Sequence, residues 1–562
     1  MKFDDVLEYL GEFGLYQKRL YFLVCLPALA NGLFIILSVF ILAIPEHRCA
    51  VPSLSNDTYA IQGSWHEDLI NQSIPSGKDG WSKCTIYNYT EDGNKTEVKC
   101  NKWVYDKSQY DNTFMSELNL VCGKEIYRSH SNLAMFMGKA VGAIVLGMFS
   151  DFLGRKKTLM ICLFIKISSG IGLAFARNLA SLLVCRFLVG FSGITCFITS
   201  YVIGMELVGP SKRKYAGNII MLAWVTGLFI LGLLAYFIRD WRNLVLASSV
   251  PSILFVSFWW LLPESPRWLL SKGRYKEAEE IIRKAAKVNQ VDLPEKLFDK
   301  SSLETTVDAK ISQMFTTPRL VAMSLIVFFN WFVASVTYYG LTLNVTNLSG
   351  DVYLNFTIGN IAETIAYILC IILLDRLGRK VLHCSVMLIG GIACLSTMFP
   401  VIYGDESHLW ITTVLSTIGK LAISAAYASV YIFTAELFPT ILRNTALGSS
   451  STCSQFGGMI SPYIADLGII IGGDLKTALP LIVFGSVCVA AGLLSLFLPE
   501  TLNQKLPENV ADTKSLRRKG QNKATSATTE INGNHNEMEK FLDVQKQNPQ
   551  DNVNNYMQCN KL

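Results

Sequence analysis

The sequence is short of charge and of catalytic motifs. Only 17% of its 562 residues are Asp, Glu, Lys or Arg, whereas soluble domains carry about a quarter charged residues. It has six histidines, none at metal-ligand spacing, and lacks a Gly-x-Ser-x-Gly elbow, a His-Glu-x-x-His motif and a phosphate-binding Gly-Lys-Ser/Thr sequence. We therefore expect no enzyme, no metal, no cofactor and no ATP-driven pump.

Apolar sequence is what the chain has in quantity. Hydrophobic residues make up 51% of it, and apolar runs of about 20 residues, the length that crosses a bilayer core, recur from end to end. Since only helices satisfy their own backbone hydrogen bonds in so many lipid-buried runs, we predict an all-α membrane protein with 12 transmembrane helices. The predicted spans are residues 20–44, 131–150, 157–176, 180–205, 216–238, 243–262, 320–343, 353–374, 381–402, 409–433, 445–471 and 477–498.

The basic residues indicate the orientation of these spans. They concentrate in alternate short connections, including Arg155–Lys157, Lys212–Lys214 and Arg379–Lys380, and the positive-inside rule makes such connections cytoplasmic. An even number of spans then places both termini in the cytoplasm, with residues 1–19 as the N-terminal segment. Membrane topology thus accounts for the net charge of +6, and we expect the lipid bilayer, not nucleic acid, as a partner.

Residues 45–128 form the one long connection on the opposite side. This loop carries four glycosylation sequons and four cysteines, which indicates an oxidising, extracellular setting with two disulfides. Three pairings are open, and free thiols are the alternative. The residues are Asn56, Asn71, Asn88 and Asn94, and Cys49, Cys84, Cys100 and Cys122.

Two polar segments divide the rest of the chain. Residues 263–318 form a cytoplasmic linker, in which Arg274–Lys287 alternates apolar and charged residues at helical spacing and predicts an amphipathic helix. Residues 501–562 are rich in Asn, Lys, Gln and Glu and poor in large apolar groups, so we expect a disordered cytoplasmic tail.

The chain repeats itself. Asp151-Phe-Leu-Gly-Arg-Lys156 returns as Asp375-Arg-Leu-Gly-Arg-Lys380, a Glu-to-Arg spacing of seven recurs, and Pro-Glu-Ser closes the first half as Pro-Glu-Thr closes the second, at offsets of 224, 230 and 236 residues. Such a parallel repeat predicts two six-helix bundles, residues 20–262 and 319–500, with a site at the midplane between them.

These motifs resemble those of a known family. The Gly147-x-x-x-Asp-x-x-Gly-Arg-Lys156 pattern and its echo are similar to the signature of the major facilitator superfamily, and Pro263–Leu269, Ala435–Thr440 and Leu498–Leu502 resemble its organic cation, carnitine and organic anion transporters. The likeness covers residues 8–508 and is strongest to the organic cation/carnitine branch. It implies a major facilitator fold of two pseudo-symmetric six-helix bundles that transports by alternating access.

The two repeated charged segments, residues 151–156 and 375–380, form short hairpins between predicted helices and are candidates for a gate. The resemblance implies a cytoplasmic latch of acidic and basic helix ends that breaks when the protein opens inward, with Gly154 and Gly378 permitting tight turns. The alternative is that the basic residues only set topology. The latch residues are Asp151, Arg155, Glu206, Arg213, Asp375, Arg379, Glu436 and Arg443.

Glu363 is the clearest candidate inside a span, because buried ionisable residues are costly and usually functional. It lies near the middle of the eighth predicted span, with Asn360 and Tyr367 on the same helical face. It would attract an organic ammonium or accept a proton. The alternative is a structural partner for a cation on another helix.

Aromatic residues could line the same cavity, since their faces bind ammonium groups by about 0.5–2 kcal/mol each. Trp331 and Tyr338 are seven residues apart and share a face of the seventh span. They match substrate-cavity positions of the resembled family, as Phe197 does on the fourth span, and Tyr339 and Tyr427 add aromatic surface. The alternative for each is packing or lipid contact.

Four further residues bear on the choice of substrate. The resemblance places Asp of cation transporters, or Arg of anion and carnitine transporters, at the position of Gln455, which selects neither sign. Lys139 stands in the second span where the family has an apolar residue; it attracts a carboxylate or pairs with an acidic neighbour. Asn31 and Lys420 match residues of the carnitine branch.

Together these patterns predict a multi-pass plasma-membrane transporter of small organic cations or zwitterions, such as amines and carnitine-like compounds, with coupling to an ion left open. An organic anion carrier is the alternative. A sugar porter is less favoured, because the seventh span lacks the Gln-Gln-x-Ser-Gly run of that class. A non-transporting receptor is also less favoured, because it would need no gates.

Overall fold

Twelve long helices occupy the twelve predicted spans. The structure, a computed structural model, describes residues 3–52, 54–77, 80–89, 94–294, 297–298, 314–348, 350–439, 442–471 and 477–502. The first six long helices are α1 (Leu15–Ile36, continued by Ser38–Ile41), α2 (Ile126–Leu153), α3 (Arg155–Ala174), α4 (Leu179–Leu207), α5 (Arg213–Phe237) and α6 (Trp241–Ser249, continued to Leu261). The second six are α7 (Pro318–Leu343), α8 (Val352–Leu377), α9 (Arg379–Ser396, continued by Met398–Tyr403), α10 (Leu409–Leu437), α11 (Arg443–Ala465) and α12 (Ala478–Ser495).

Within these ranges, eleven helices are long and apolar enough to cross a membrane. The remaining one, α11, has 23 residues but carries the polar run Ser449–Gln455. The helices agree with the predicted all-α membrane architecture of two six-helix bundles. The predicted tail beyond residue 502 lies outside the described residues, and so does the linker segment 301–313.

Small residues let helices within a bundle approach closely. A Cβ added at Gly138 or Gly142 of α2 would lie 2.0 or 1.9 Å from a carbonyl oxygen of α4, and one added at Gly190 of α4 would lie 2.0 Å from a carbonyl oxygen of α2. Backbones in such contact gain packing that lipid cannot replace. The pair α2–α4 is therefore a rigid wall of the first bundle.

The repeated hairpins have the same architecture in both halves. Gly154 ends α2 with φ +109°, and Gly378 ends α8 with φ +94°, a backbone region that side-chain-bearing residues rarely adopt. The turn points the backbone N–H groups at the start of the next helix toward an acidic residue that follows the last helix of the bundle. In the first bundle, Oε1 of Glu264 accepts hydrogen bonds from the backbone N–H groups of Arg155 and Lys156 at 2.9 and 3.0 Å.

The second bundle repeats this cap. Oε1 of Glu500 accepts from the backbone N–H of Arg379 at 2.9 Å. A carboxylate at a helix N-terminus satisfies unpaired N–H groups and complements the helix dipole. The Pro-Glu-Ser and Pro-Glu-Thr motifs, read in the sequence only as repeat markers, are therefore the caps of α3 and α9.

The long connection between α1 and α2 is a small domain of its own. The structure pairs Cys49 with Cys100 and Cys84 with Cys122, one of the three pairings that the sequence left open. The strand His47–Cys49 pairs with Trp103–Tyr105, and Thr85–Tyr89 pairs with Lys95–Lys99. All four sequon asparagines are exposed. We call the membrane side that carries this domain the loop face and the opposite side the hairpin face.

A buried charge cluster lies inside the domain. Arg48 donates to both carboxylate oxygens of Asp57, at 2.9 and 2.5 Å, and Nε2 of His66 lies 3.0 Å from the same carboxylate. Burial alone would raise the pKa of Asp57, but these hydrogen bonds and one from the backbone N–H of Val51 hold that pKa below its ordinary value. Asp57 therefore stays ionised at neutral pH and ties the loop to the helix Ser64–Ser73.

We predict that Gly154→Ala destabilises the protein, because a Cβ there would lie 2.3 Å from the Glu264 carboxylate and would require a positive φ. The expected result is a thermal midpoint lower by at least several degrees in detergent, with reduced surface expression. Gly378→Ala should act alike, since its Cβ would lie 2.6 Å from Glu500.

Gly147→Ala is the matched control, because nothing lies within 4 Å of its added Cβ. Equal thermal midpoints for Gly154→Ala and Gly147→Ala would contradict the role assigned to the turn.

Candidate functional site

Glu363 lies at the centre of a fully formed polar network. Its side chain on α8 is completely buried. Oε1 accepts hydrogen bonds from the hydroxyls of Tyr338 and Tyr367, at 2.7 and 2.9 Å, and Oε2 lies 3.1 Å from Nζ of Lys420 on α10. Glu363 thus has the cationic partner on another helix that the sequence analysis left as the alternative, so this carboxylate is neutralised within the protein.

Lys420 completes this network from the opposite side. Its ammonium lies 3.7 Å from the ring centroid of Tyr338 and donates to Thr342 at 2.5 Å. The ring of Tyr338 therefore already accepts an ammonium group by cation–π attraction. The sequence analysis matched Lys420 to other transporters but did not place it in the site.

Aromatic rings extend from this network along α7 and α10. Trp331 and Tyr427 have ring centroids 6.3 Å apart, and Tyr338 and Tyr427 have centroids 5.6 Å apart. Tyr431 packs edge-on against Trp331 at 4.3 Å. This cluster, Trp331, Tyr338, Tyr427 and Tyr431, is called the aromatic wall below.

Tyr431 is the open member of the aromatic wall. Trp331 is fully buried and donates to Thr434 at 2.9 Å, whereas Tyr431 keeps 38% of its surface exposed. It also lies within electrostatic range of Tyr201 on α4 of the first bundle. The exposed surface of Tyr431 and its electrostatic interaction with a residue of the first bundle lead us to infer that this ring lies toward the interface between the bundles. Sequence reasoning missed Tyr431, although it follows Tyr427 by one helical turn.

The first bundle supplies the facing side of the site. Trp224 on α5 donates from Nε1 to the hydroxyl of Tyr338 at 3.3 Å, and Phe197 packs edge-on against Trp224 at 5.8 Å. The predicted site residue Phe197 is thus connected to the aromatic wall through Trp224. Trp224, which the sequence analysis did not single out, makes the direct contact.

Lys139 also lies between the bundles. Its side chain on α2 is fully buried; Nζ donates to the hydroxyl of Tyr339 on α7 at 3.1 Å. The ammonium lies 4.5 and 4.2 Å from the ring centroids of Phe136 and Tyr339. The acidic neighbour that the sequence analysis offered as one interpretation is absent from the described residues.

Two predicted residues lie elsewhere or make no described contact with the wall. Oδ1 of Asn31 accepts from Nζ of Lys166 at 3.3 Å, inside the first bundle. Gln455 is buried on α11, but the hydroxyl partner of Tyr427 is the adjacent Ser454, at 2.9 Å. The position that we expected to discriminate substrate charge is one residue away from this contact.

The hairpin-face charges pair within each bundle. Arg155 lies 2.6 Å from Asp151 and 3.8 Å from Glu206. Arg379 lies 3.4 Å from Asp375 and 2.9 Å from Glu436. Hydroxyls of the cap motifs complete the repeat, since Ser265 donates to Glu206 and Thr501 to Glu436, at 2.5 and 2.6 Å.

The remaining two predicted latch residues behave differently from these clusters. Arg213 pairs with Asp4 of the N-terminal helix Phe3–Tyr9 at 2.6 Å. Arg443 begins α11. The sequence spacing of seven thus marks equivalent positions in the repeat, but it does not bring Arg213 to Glu206 as an ion pair.

On the loop face, contacts join the two bundles directly. Arg128 of α2 donates to Asp466, just after α11, at 3.0 and 2.5 Å, and Ser129 donates to the same carboxylate at 2.5 Å. His130 and Tyr463 are hydrogen-bonded at 2.7 Å. We call these residues the loop-face gate; sequence reasoning missed them because their partners are more than 330 positions apart.

Aromatic packing closes the same face between α1 and α8. Phe40 stacks on Tyr353 at 5.6 Å and meets Phe356 edge-on at 5.1 Å. The hydroxyl of Tyr353 donates to the carbonyl of Gln109 in the loop domain at 2.6 Å. The path from the loop face to the aromatic wall is therefore covered.

Comparison with known proteins places these features in a family. A sequence model described as sugar (and other) transporter matches residues 78–511. The Organic cation transporter protein of Drosophila melanogaster is 37% identical over 556 residues, covering 95% of this chain and 98% of that protein. Organic cation/carnitine transporter 2 of Homo sapiens is 33% identical over 533 residues, covering 90% and 93%. These relatives confirm the resemblance, and they are transporters rather than enzymes.

Solved structures agree on the fold. The xylose transporter XylE from E. coli, in a partially occluded inward open conformation, matches with a TM-score of 0.55, covering 86% of this chain and 99% of that one. Its sequence identity is 18%. At that distance the likeness establishes the major facilitator architecture alone.

We predict that Glu363 and Lys420 are energetically coupled. Glu363→Gln or Lys420→Gln alone leaves one buried charge unpaired, which costs about 3–5 kcal/mol in soluble proteins, so each variant should lower the thermal midpoint. The double variant should lose less than the sum of the two. Glu363→Gln should also impair uptake of a transported compound.

Tyr367→Phe is the control for this cycle, since it removes one hydrogen bond to Glu363 and no charge. Additive losses would show that the pair is not coupled. Normal uptake and stability of Glu363→Gln would remove this carboxylate from the mechanism.

Proposed function

Because this chain belongs to the major facilitator superfamily, in the family of the organic cation and organic cation/carnitine transporters, we propose that it transports small organic cations or zwitterions by alternating access. The observation that carries the substrate class is the aromatic wall with its open, partly exposed member, Tyr431. Amines and carnitine-like compounds have the ammonium group that such rings bind.

The site binds an ammonium through ring faces more than through a free carboxylate. Glu363 is already neutralised by Lys420, and it accepts hydrogen bonds from two tyrosine hydroxyls. Close to this network, Tyr431 offers exposed aromatic surface and packs against the buried ring of Trp331. A substrate ammonium would rest against these rings and feel the negative end of the Glu363–Lys420 pair without displacing Lys420.

Alternating access needs one closed side and one that opens. The loop-face gate and the packing of Phe40 on Tyr353 hold the two bundles together on the loop face. The hairpin-face pairs of Arg155 and Arg379 lie within single bundles, so rocking of one bundle against the other leaves them intact. We assign the loop face to the cell exterior, the hairpin face and both termini to the cytoplasm, and the protein to the plasma membrane.

An organic anion carrier is the second candidate, favoured by one observation. Lys139 is a buried cation between the bundles that no carboxylate of the described residues neutralises. Uptake of labelled tetraethylammonium, carnitine and p-aminohippurate by cells at two membrane potentials distinguishes a carrier of cations or zwitterions from an organic anion carrier. We expect uptake of the first two and little of the third; uptake of p-aminohippurate alone would contradict the proposal.

We predict that Tyr431→Ala raises the KM for tetraethylammonium by about 2- to 30-fold, because it removes one cation–π face of about 0.5–2 kcal/mol. Tyr431→Phe, which keeps the ring, should stay within about twofold of the unmodified protein. The measurement is initial uptake rate against concentration, corrected for surface expression.

Tyr403→Ala is the matched control, since Tyr403 is an 81% exposed tyrosine at the end of the α9 segment. An unchanged KM in Tyr431→Ala would remove Tyr431 from the substrate path.

A second prediction concerns the loop-face gate. Asp466→Asn weakens the ion pair with Arg128, so the closed loop face should open more often. A cysteine placed at Thr346, which lines the small space beneath the gate, should then react several times faster with an impermeant maleimide added from the loop side.

Asp68→Asn is the control, since Asp68 is an exposed acidic residue of the loop domain. The same labelling rate in Asp466→Asn and Asp68→Asn, after subtraction of the background without Thr346→Cys, would show that Asp466 does not hold the gate shut.

A further inference from the structure

Lys139 is a buried charge that the proposed ammonium site does not use. It lies on α2 of the first bundle and has none of its surface exposed. Its only hydrogen bond in the described part of the chain is to the neutral hydroxyl of Tyr339, and its other close contacts are the ring faces of Phe136 and Tyr339. Ring faces and a hydroxyl solvate an ammonium but do not neutralise it.

The surroundings add positive charge rather than remove it. Arg186 on α4 is also fully buried, donates to the amide oxygen of Asn132 at 2.7 Å and lies close enough to repel Lys139. The nearest carboxylate of the network on α7 and α8, Glu363, is paired with Lys420. The space between the bundles therefore has a surplus of positive charge on the side of α2.

A surplus of positive charge is costly in a membrane interior, and an anion bound close to it would lower that cost. Lys139 reaches across the bundle interface to Tyr339, and Tyr339 packs edge-on against Tyr338 at 5.2 Å. Tyr338 in turn belongs to the aromatic wall. A group bound at Lys139 would therefore lie beside Tyr339, and the rings of Tyr338 and Tyr427 connect that position to the open member of the wall, Tyr431.

We propose that Lys139 is an anion-binding residue that receives the carboxylate of a zwitterionic substrate whose ammonium rests on the aromatic wall. This inference rests on the proposed function and narrows it to compounds with both an ammonium and a carboxylate a few bonds apart. The two ends of such a substrate would contact different bundles, so binding draws the bundles together. Inorganic chloride has the same charge chemistry and is the competing occupant.

The test compares L-carnitine with choline, which share a trimethylammonium group and differ in the carboxylate, in cells or proteoliposomes that contain the full chain. Lys139→Gln should lower kcat/KM for carnitine by at least 10-fold and leave that for choline within about twofold. Lys139→Arg, which keeps the charge, should retain the preference for carnitine. Lys83→Gln, at an exposed lysine of the loop domain, is the matched control.

Replacement of chloride by gluconate on both sides separates the two occupants. A fall in uptake of both compounds without chloride, lost in Lys139→Gln, would assign the site to chloride and overturn the role in carboxylate binding. An unchanged carnitine-to-choline ratio in Lys139→Gln, with no dependence on chloride, would overturn the anion site itself.

Two further outcomes are also decisive. If Lys139→Gln fails to reach the surface, Lys139→Met takes its place. Loss of both variants from the surface, with Lys139→Arg retained there, would show that the charge is structural and would overturn the inference.

If the unmodified protein transports neither compound, the proposed function fails separately. Acetate and chloride are then tested on purified protein, where a rise in thermal midpoint that Lys139→Gln abolishes supports the anion site, and equal midpoints overturn it.

Discussion

The low polarity of the membrane interior constrains every charged residue in this molecule. An ionised side chain there must find a partner or face water, because burial without compensation is costly. Glu363 is satisfied by Lys420 and two tyrosines, and Arg128 by Asp466. The same requirement joins helices that are far apart in sequence, so the ion pairs fix which helices meet at the midplane and which meet at the loop face. Among the described residues, Lys139 stands out because its ammonium contacts rings and a hydroxyl but neither a carboxylate nor an amide oxygen.

The repeat uses this chemistry twice at the hairpin face. In each half, a glycine turn presents the start of a helix to a carboxylate from the far end of the bundle, and the neighbouring hydroxyl binds a second carboxylate. Because the caps connect the third and ninth helices to the ends of the sixth and twelfth, each bundle is closed on itself. A bundle that is closed in this way moves as a unit, which is what rocking of two bundles requires. The gate contacts, by contrast, join the bundles to each other and must break.

The sequence predicts this fold well and the site less well, for one physical reason. Helix positions follow from local apolar runs, and the two bundles follow from motifs repeated within the chain, so both can be read from neighbouring residues. Partners cannot. Lys420 was visible as a basic residue, but its pairing with Glu363 depends on how α8 and α10 pack. Gln455 was expected in the cavity because the resemblance places charged residues of related transporters at its position, whereas the rotation of α11 presents Ser454 to Tyr427. Tyr431 could have been found from its helical spacing with Tyr427, and Glu264 from the doubled motif that contains it.

The arrangement around Tyr338 limits how a substrate ammonium could bind. Lys420 already places an ammonium 3.7 Å from the Tyr338 ring centroid, so a second cation on that same face would have to expel Lys420 and leave it unpaired. Tyr431 is different, since its ring is 38% exposed and still contacts Trp331. An ammonium bound there would leave the Glu363–Lys420 ion pair intact. The internal lysine thus keeps the carboxylate neutralised, and in the proposed mode of binding the substrate would meet a pre-formed dipole rather than a bare negative charge. We infer that such a site would hold an ammonium less tightly than an unpaired buried carboxylate would, which suits a carrier that must release its substrate on the other side.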